Sequence, residues 1–212
     1  MIRIKFPSMK RGLVAILRGI RPDETAAVVD GLIEAGFTAI EIPLNSPDPF
    51  RSIEAAVKRA PKDVLIGAGT VLATDDVDRL NDVGGRLMVS PNVDAQVIGQ
   101  AAAHGMVTMP GVFTPTEALA ACAAGASALK FFPASVLGPA GINAIRAVLP
   151  KDVAVGAVGG VSNDDFSAYA KVGIRTFGLG SSLYKAGMDA AEVQLRGAAA
   201  IKAYDALEET GL

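Results

Sequence analysis

Short apolar runs and longer amphipathic stretches alternate along this chain. The runs with strand character are Val14–Gly19, Ala39–Leu44, Leu65–Val71, Leu87–Pro91, Val107–Val112, Ala128–Ala134, Val153–Gly159 and Thr176–Gly180. Segments of helical period follow them, among them Asp23–Ala35, Pro49–Ala60 and Asp94–His104. Apolar positions recurring every three or four residues suit a helix with one buried face, whereas short continuous apolar runs suit strands covered on both sides. Successive runs start about 20 to 26 residues apart, the length of a strand, a helix and two short loops. Eight such units in a row predict an α/β fold, a closed (β/α)8 TIM barrel. No linker-like or charge-rich block interrupts the series, so residues 1–212 are expected to form a single domain. Met1–Arg11 would be a short N-terminal extension and Asp189–Glu209 a C-terminal helix.

Residues at the segment boundaries support this reading. Asp23, Thr74, Asp94, Thr114 and Ser162 stand where helix N-caps are expected, with Pro115 at a first helical position and Asp165 completing a capping box with Ser162. Glycines at 36, 84, 105, 125 and 173 follow the helices, where a left-handed residue commonly ends one. These signals set the direction of the strands. Barrel active sites lie at the C-terminal strand ends, which is where Arg18, Thr70, Pro91, Pro110, Pro133, Gly159 and Gly160 fall.

Composition narrows the functional classes. Half of the residues are apolar and the net charge is −2, so nothing marks a nucleic-acid surface or a polybasic membrane patch. The start of the chain lacks a signal-peptide apolar run and no later stretch is of membrane-spanning length, which predicts a cytoplasmic protein. One cysteine and one histidine exclude an internal disulfide, cysteine-rich zinc sites and multi-histidine metal sites. Cys122 reads as a small buried thiol and His104 as a helix-end residue.

Lys130 changes the picture. It is the only charged residue from Ala118 to Ile145 and sits in the apolar run Ala128-Leu129-Lys130-Phe131-Phe132-Pro133-Ala134. Burial disfavours an ammonium, so its pKa should fall and leave a neutral amine able to attack a carbonyl. The plainer alternative is a strand-end lysine whose head reaches solvent. Glu41 is the second anomaly, alone between Glu34 and Asp48 in Ala39-Ile40-Glu41-Ile42-Pro43-Leu44. Adjacent strand residues face opposite sides, so Ile40 and Ile42 would pack beneath the helices and Glu41 would point into the barrel. The two charges could form a structural ion pair, or a Schiff-base lysine with its proton shuttle.

The remaining polar residues suggest the ligand. Arg18 ends the first strand, where a guanidinium suits a carboxylate or a phosphate. Gly67-Ala68-Gly69-Thr70 lets a ligand approach the backbone and offers the Thr70 hydroxyl. Gly159-Gly160 and Gly180-Ser181 follow strands 7 and 8, where barrels often hold phosphate on backbone N–H groups. A substrate with a carbonyl at one end and a phosphate at the other fits this set.

The motifs Ala15-Ile16-Leu17-Arg18-Gly19, Glu41-Ile42-Pro43-Leu44-Asn45-Ser46-Pro47, Gly67-Ala68-Gly69-Thr70-Val71, Ser90-Pro91-Asn92, Pro110-Gly111, Leu129-Lys130-Phe131-Phe132-Pro133-Ala134 and Val158-Gly159-Gly160-Val161 occur in this order. With them the chain resembles the class I 2-keto-3-deoxy-6-phosphosugar-acid aldolases over nearly its full length. The resemblance implies Lys130 as the Schiff-base lysine, Glu41 as proton donor and acceptor, and Arg18 as a substrate-anion contact. It brings Pro91 and Phe132 into the substrate-binding set and implies a homotrimer with no cofactor and no metal. Family members acting on the gluconate usually carry Arg where this chain has Asn45 and Thr where it has Val158; both departures resemble the phosphogalactonate branch. Asn45 leaves the carboxylate partner open, with Thr70 and a backbone N–H as alternatives. An isomerase or epimerase barrel, a sugar-phosphate binder and a purely structural barrel are the rival readings.

Overall fold

A computed structural model describes residues 2–209. In chain order the elements are β1 (Gly12–Ile16), α1 (Pro22–Ala35), β2 (Ala39–Pro43), α2 (Pro49–Arg59), β3 (Leu65–Gly69), α3 (Thr74–Asp82), β4 (Leu87–Val89), α4 (Ala95–Ala103), β5 (Val107–Met109), β6 (Gly111–Val112), α5 (Pro115–Ala123), β7 (Ala128–Phe131), α6 (Ala134–Arg146), β8 (Ala154–Val158), α7 (Phe166–Ala170), β9 (Thr176–Leu179) and α8 (Ala190–Glu209). All paired strands run parallel, in the order β5-β4-β3-β2-β1-β9-β8-β7-β6. This is the predicted (β/α)8 barrel with one correction. The fifth strand, expected to run unbroken through Val107–Val112, is split at Pro110 into β5 and β6. Proline has no N–H for the ladder, so pairing lapses there. Its carbonyl still accepts from Lys130 N at 2.9 Å, which holds β7 against the break.

The apolar residues divide between two layers. Ile40, Ile42, Leu129 and Phe131 belong to the cluster between sheet and helices, together with Val28, Val29 and Leu32 of α1. Such fully buried side chains contribute roughly 1.5–3 kcal/mol each. A smaller cluster inside the barrel joins Val14, Ala39, Leu87, Val89, Val107, Met109 and Ala128, with Ile4, Phe6 and Met9 of the N-terminal segment packed against it. The N-terminal extension therefore plugs the bottom of the barrel.

Helix ends follow the sequence with two exceptions. Asp94 accepts from Gln96 N and Val97 N, Thr114 forms a capping box with Glu117, and Ser162 N donates to Asp165. The glycines at 36, 84, 105, 125 and 173 all have positive φ. Asp23, however, lies within the first turn of α1, because Pro22 takes the first helical position and Arg21 becomes the N-cap. Thr74 likewise opens α3 behind Ala73, without a side-chain cap. His104 ends α4 and its Nε2 lies 2.7 Å from Asp78 Oδ1 on the neighbouring α3, a tie between helices. Cys122 is only half-buried, and burial raises its thiol pKa. Among the described residues no helix is long and apolar enough to cross a membrane, and no cluster of His, Cys, Asp or Glu could hold a metal ion.

Candidate active site

The strands end earlier than the apolar runs suggested. β1 stops at Ile16, β3 at Gly69, β4 at Val89 and β7 at Phe131. Single backbone bonds continue just past those points, Leu17 N to Glu41 O, Val71 N to Val89 O and Phe132 N to Val112 O, and Arg18, Thr70, Pro91 and Phe132 stand on the loops that rim the barrel. Thr70 takes a left-handed backbone, with φ of 56°, rare for a non-glycine residue. That turn follows directly on Gly69 and brings residue 70 over the interior.

Glu41 and Lys130 remain inside strands, 2% and 7% exposed. β2 and β7 occupy opposite sides of the ring, so the carboxylate and the amine face each other across the upper barrel. Burial pushes the Glu41 carboxyl up to about 7, against the opposing pull of the Lys130 and Arg18 charges. Burial lowers the Lys130 pKa; Glu41 counteracts this and Arg18 adds to it. Glu41 Oε2 is buried without a hydrogen-bond partner among the described residues. Lys130 Nζ lies over the Phe132 ring, 4.9 Å from its centroid.

These groups line one cavity of about 360 Å3. Its wall contains Arg18, Glu41, Thr70, Pro91, Lys130 and Phe132, and, at the ends of β8 and β9, Val158, Gly159, Gly160, Gly180 and Ser181. Pro110 and Pro133, expected at the mouth, do not line the wall, and of the candidate catalytic and substrate-binding residues only Asn45 is absent from it. Its Oδ1 accepts from Arg18 Nη1 at 2.5 Å, and the next residue's Ser46 Oγ accepts from Gly19 N at 2.9 Å. The Asn45-Ser46 loop thus clasps the Arg18-Gly19 loop from outside. A hollow of about 420 Å3 on the outer wall, between Asn143 and Val155, has no opposed buried acid and base.

The two glycine loops converge on the wall beside Phe132. Gly159 and Gly160 have φ of 91° and 72°, and a Cβ on Gly159 would stand 2.9 Å from the Phe132 ring. Ser182 Oγ donates to Val161 O at 3.0 Å and links the two loops. A Cβ on Gly180 would meet nothing within 4 Å, so the backbone there is open to a ligand. Ile16, Val161, Tyr184 and Lys185 also line the cavity and were not anticipated. Tyr184 and Lys185 get there through a turn in which Leu183 N and Tyr184 N both donate to Gly180 O. Tyr184 is buried, its hydroxyl 3.5 Å from Glu24 Oε2, and burial pushes its pKa up to about 12. The lone cation at 185, just past a glycine-serine turn, was the available signal in the sequence.

The arrangement combines a buried amine of lowered pKa, a buried carboxyl whose pKa is raised to about 7, a guanidinium at the rim and two glycine loops, with open backbone at Gly180. It can form an imine and move protons at one end while holding an anion at the other.

Comparison with known proteins agrees with this chemistry. Residues 7–194 match the family described as KDPG and KHG aldolase. The chain is 70% identical over 207 residues to a probable 2-dehydro-3-deoxy-6-phosphogalactonate aldolase of Rhizobium meliloti (strain 1021), covering 98% of both chains. It is 49% identical to the 2-dehydro-3-deoxy-6-phosphogalactonate aldolase of Escherichia coli (strain K12), covering 92% of this chain and 95% of that one. A solved structure described as native KDPGal superposes with a TM-score of 0.93 at 47% identity, covering 97% of this chain and 99% of the other.

Proposed function

The chain belongs to the KDPG and KHG aldolase family, and on that premise we propose that it is a class I aldolase for 2-dehydro-3-deoxy-6-phospho-D-galactonate. It cleaves this keto acid reversibly to pyruvate and D-glyceraldehyde 3-phosphate. The observation that carries the reading is the buried Lys130 amine facing the buried Glu41 carboxyl in a cavity rimmed by Arg18 and two glycine loops.

In this mechanism the neutral Lys130 amine adds to the C2 ketone, and Glu41 relays the protons that let the carbinolamine lose water. The resulting iminium is the electron sink. Glu41, directly or through a water, takes the C4 hydroxyl proton; C3–C4 breaks, and its electron pair moves into the enamine. Glyceraldehyde 3-phosphate departs, the enamine is protonated at C3, and hydrolysis frees pyruvate and Lys130. A carboxyl titrating at about 7 suits both directions of transfer near neutral pH. Arg18 holds the substrate anion at the rim, oriented from behind by Asn45, with Thr70, Pro91 and Phe132 in the adjoining wall. Gly159, Gly160, Gly180 and Ser181 hold the phosphate through backbone N–H groups and a hydroxyl, with the nearby Lys185 charge adding attraction.

The preference for the galactonate rests on Val158. Its methyls stand where a hydroxyl would otherwise partner one C4 configuration, and it lines the cavity. The name of the 70% identical relative supports the same epimer. The reading makes the protein a cytoplasmic homotrimer. Exposed Leu72, Phe113 and Val136, all on loops or first turns at the barrel mouth, offer apolar surface for subunit contacts.

Borohydride reduction with pyruvate, followed by peptide mapping, tests the central claim. A reduced adduct on Lys130 is expected; a folded protein that acquires none overturns the lysine's role. Turnover of the two C4 epimers then tests specificity. The galactonate is expected to be favoured by at least about tenfold, and equal rates or the opposite order would reassign the enzyme to the gluconate.

A further inference from the structure

Gly69 is the last residue of β3 and pairs with Pro43 of β2, two residues beyond Glu41 and on the same face of its strand. Its backbone does not require glycine, since it is not among the positive-φ residues. What requires it is the space beside it. A Cβ built on Gly69 would coincide with the Glu41 carboxylate: its three nearest atoms would be Oε2, Cδ and Oε1 of Glu41, the last at 2.7 Å. Gly67, directly opposite Glu41 in the register, differs, because a Cβ there would strike the Leu87 backbone carbonyl.

We propose that Gly69 is a positioning residue: the missing side chain forms the slot that holds the Glu41 carboxylate by shape rather than by hydrogen bonds. This deepens the aldolase reading and rests on Glu41 being its proton shuttle. The unpartnered Oε2 fits such a slot. A carboxylate fixed by N–H donors is aimed well, but those donors also favour its charged form and hold its proton affinity down. A steric slot aims the group and leaves its proton affinity high. Burial, the first cause of the raised Glu41 pKa, is then undiminished.

The test is a stability cycle with a kinetic readout. Gly69→Ala is expected to lower the thermal midpoint when Glu41 is present and to leave it unchanged in the Glu41→Ala background, where the slot is vacant. Gly67→Ala, which meets backbone, should cost the same in both backgrounds. In folded Gly69→Ala, borohydride should still trap pyruvate on Lys130. Turnover should fall, and its acidic limb should move down by about one pH unit as the carboxylate is pushed toward cavity water. If Gly69→Ala does not fold, folding of Glu41→Ala/Gly69→Ala supports the slot, and failure of both overturns it. Equal destabilisation in the two backgrounds, or wild-type turnover and pH limb in Gly69→Ala, also overturns it. The midpoints need no substrate. A coupled cycle in a protein that traps no pyruvate would leave the slot standing and the aldolase reading fallen.

Discussion

The two ends of the barrel interior are built from the same strands and have opposite chemistry. On β2, Ala39 and Glu41 face the same way; on β7, Ala128 and Lys130 do. The first of each pair joins the apolar cluster that Phe6 and Met9 close from below. The second, one two-residue step higher, is an ionisable group inside the cavity. At the bottom the apolar inward side chains gain by burial. At the mouth burial works against ionisation, pushing the Glu41 carboxyl up to about 7 and the Lys130 amine down from its ordinary range. Stability resides in the lower layer and reactivity in the upper one, and substitutions on either side test that division.

The largest effect is expected at the mouth. Glu41→Gln keeps the shape of the side chain and removes the titratable proton, so turnover should fall by roughly 10²- to 10⁴-fold. The pyruvate adduct on Lys130 should still accumulate, more slowly, because the amine is intact. A variant with wild-type turnover would assign the proton relay elsewhere.

At the bottom, Leu87→Ala empties a position that is 1% exposed. It should destabilise the fold by about 2–5 kcal/mol, measured by urea denaturation. Turnover per folded molecule at a temperature well below the midpoint should stay within about twofold, because the cavity wall does not include this side chain. A large loss of turnover with the fold intact would show that the lower layer also shapes the site.

The same division explains what could be read from the sequence. Strand periodicity gives facing directly, so a lone Glu41 or Lys130 between apolar neighbours could be placed inside the barrel, with Ile40, Ile42, Leu129 and Phe131 outside. Loop geometry has no such period. Tyr184 and Lys185 reach the cavity because a turn folds back on the Gly180 carbonyl, and Asn45 stands behind Arg18 rather than beside the ligand space. Pro110 stands inside a run whose apolarity is continuous although its pairing is broken. The ladder resumes on its far side through Lys130 N, so apolarity persists where pairing does not.

The charged upper layer should also weaken the fold, with a definite pH signature. Glu41 has a folded pKa of about 7, above its ordinary 4.5. Between those values the folded state keeps a proton that the unfolded state has lost, so this contribution to stability is complete below 4.5 and is lost as pH rises through 7. Lys130 has a folded pKa below its ordinary 10.5; in the window between the two the unfolded chain holds the extra proton, and stability rises with pH toward 10.5. Near pH 8 both groups therefore act against folding. Replacing the pair together, Glu41→Gln/Lys130→Met, should raise stability there by about 1–4 kcal/mol while abolishing turnover. Unfolding curves at pH 5 and pH 8 check the sign. A double variant less stable than wild type at pH 8 would show the pair to be a structural ion bridge.

The smallest effect is expected at Asn45, where the rim departs from the gluconate enzymes. Its neutral amide oxygen accepts from Arg18 Nη1 at 2.5 Å and orients the guanidinium without cancelling its charge. Asn45→Asp retains an acceptor at nearly the same place and adds a negative charge. The guanidinium would then be neutralised by the protein before the substrate anion arrives. Because Arg18 is exposed, water and salt screen the new pair and limit its influence. KM is expected to rise by roughly three- to tenfold with kcat nearly unchanged, the pattern for an interaction made equally in the ground and transition states. The rise should shrink in 0.5 M salt, roughly the regime where the Debye length falls below about 5 Å. Both C4 epimers should be affected alike, since Arg18 addresses an anion and Val158 the C4 hydroxyl. A change in epimer preference in Asn45→Asp would instead bring residue 45 into contact with the sugar chain, so that the loop behind the rim, and not the wall at Val158, would choose the substrate.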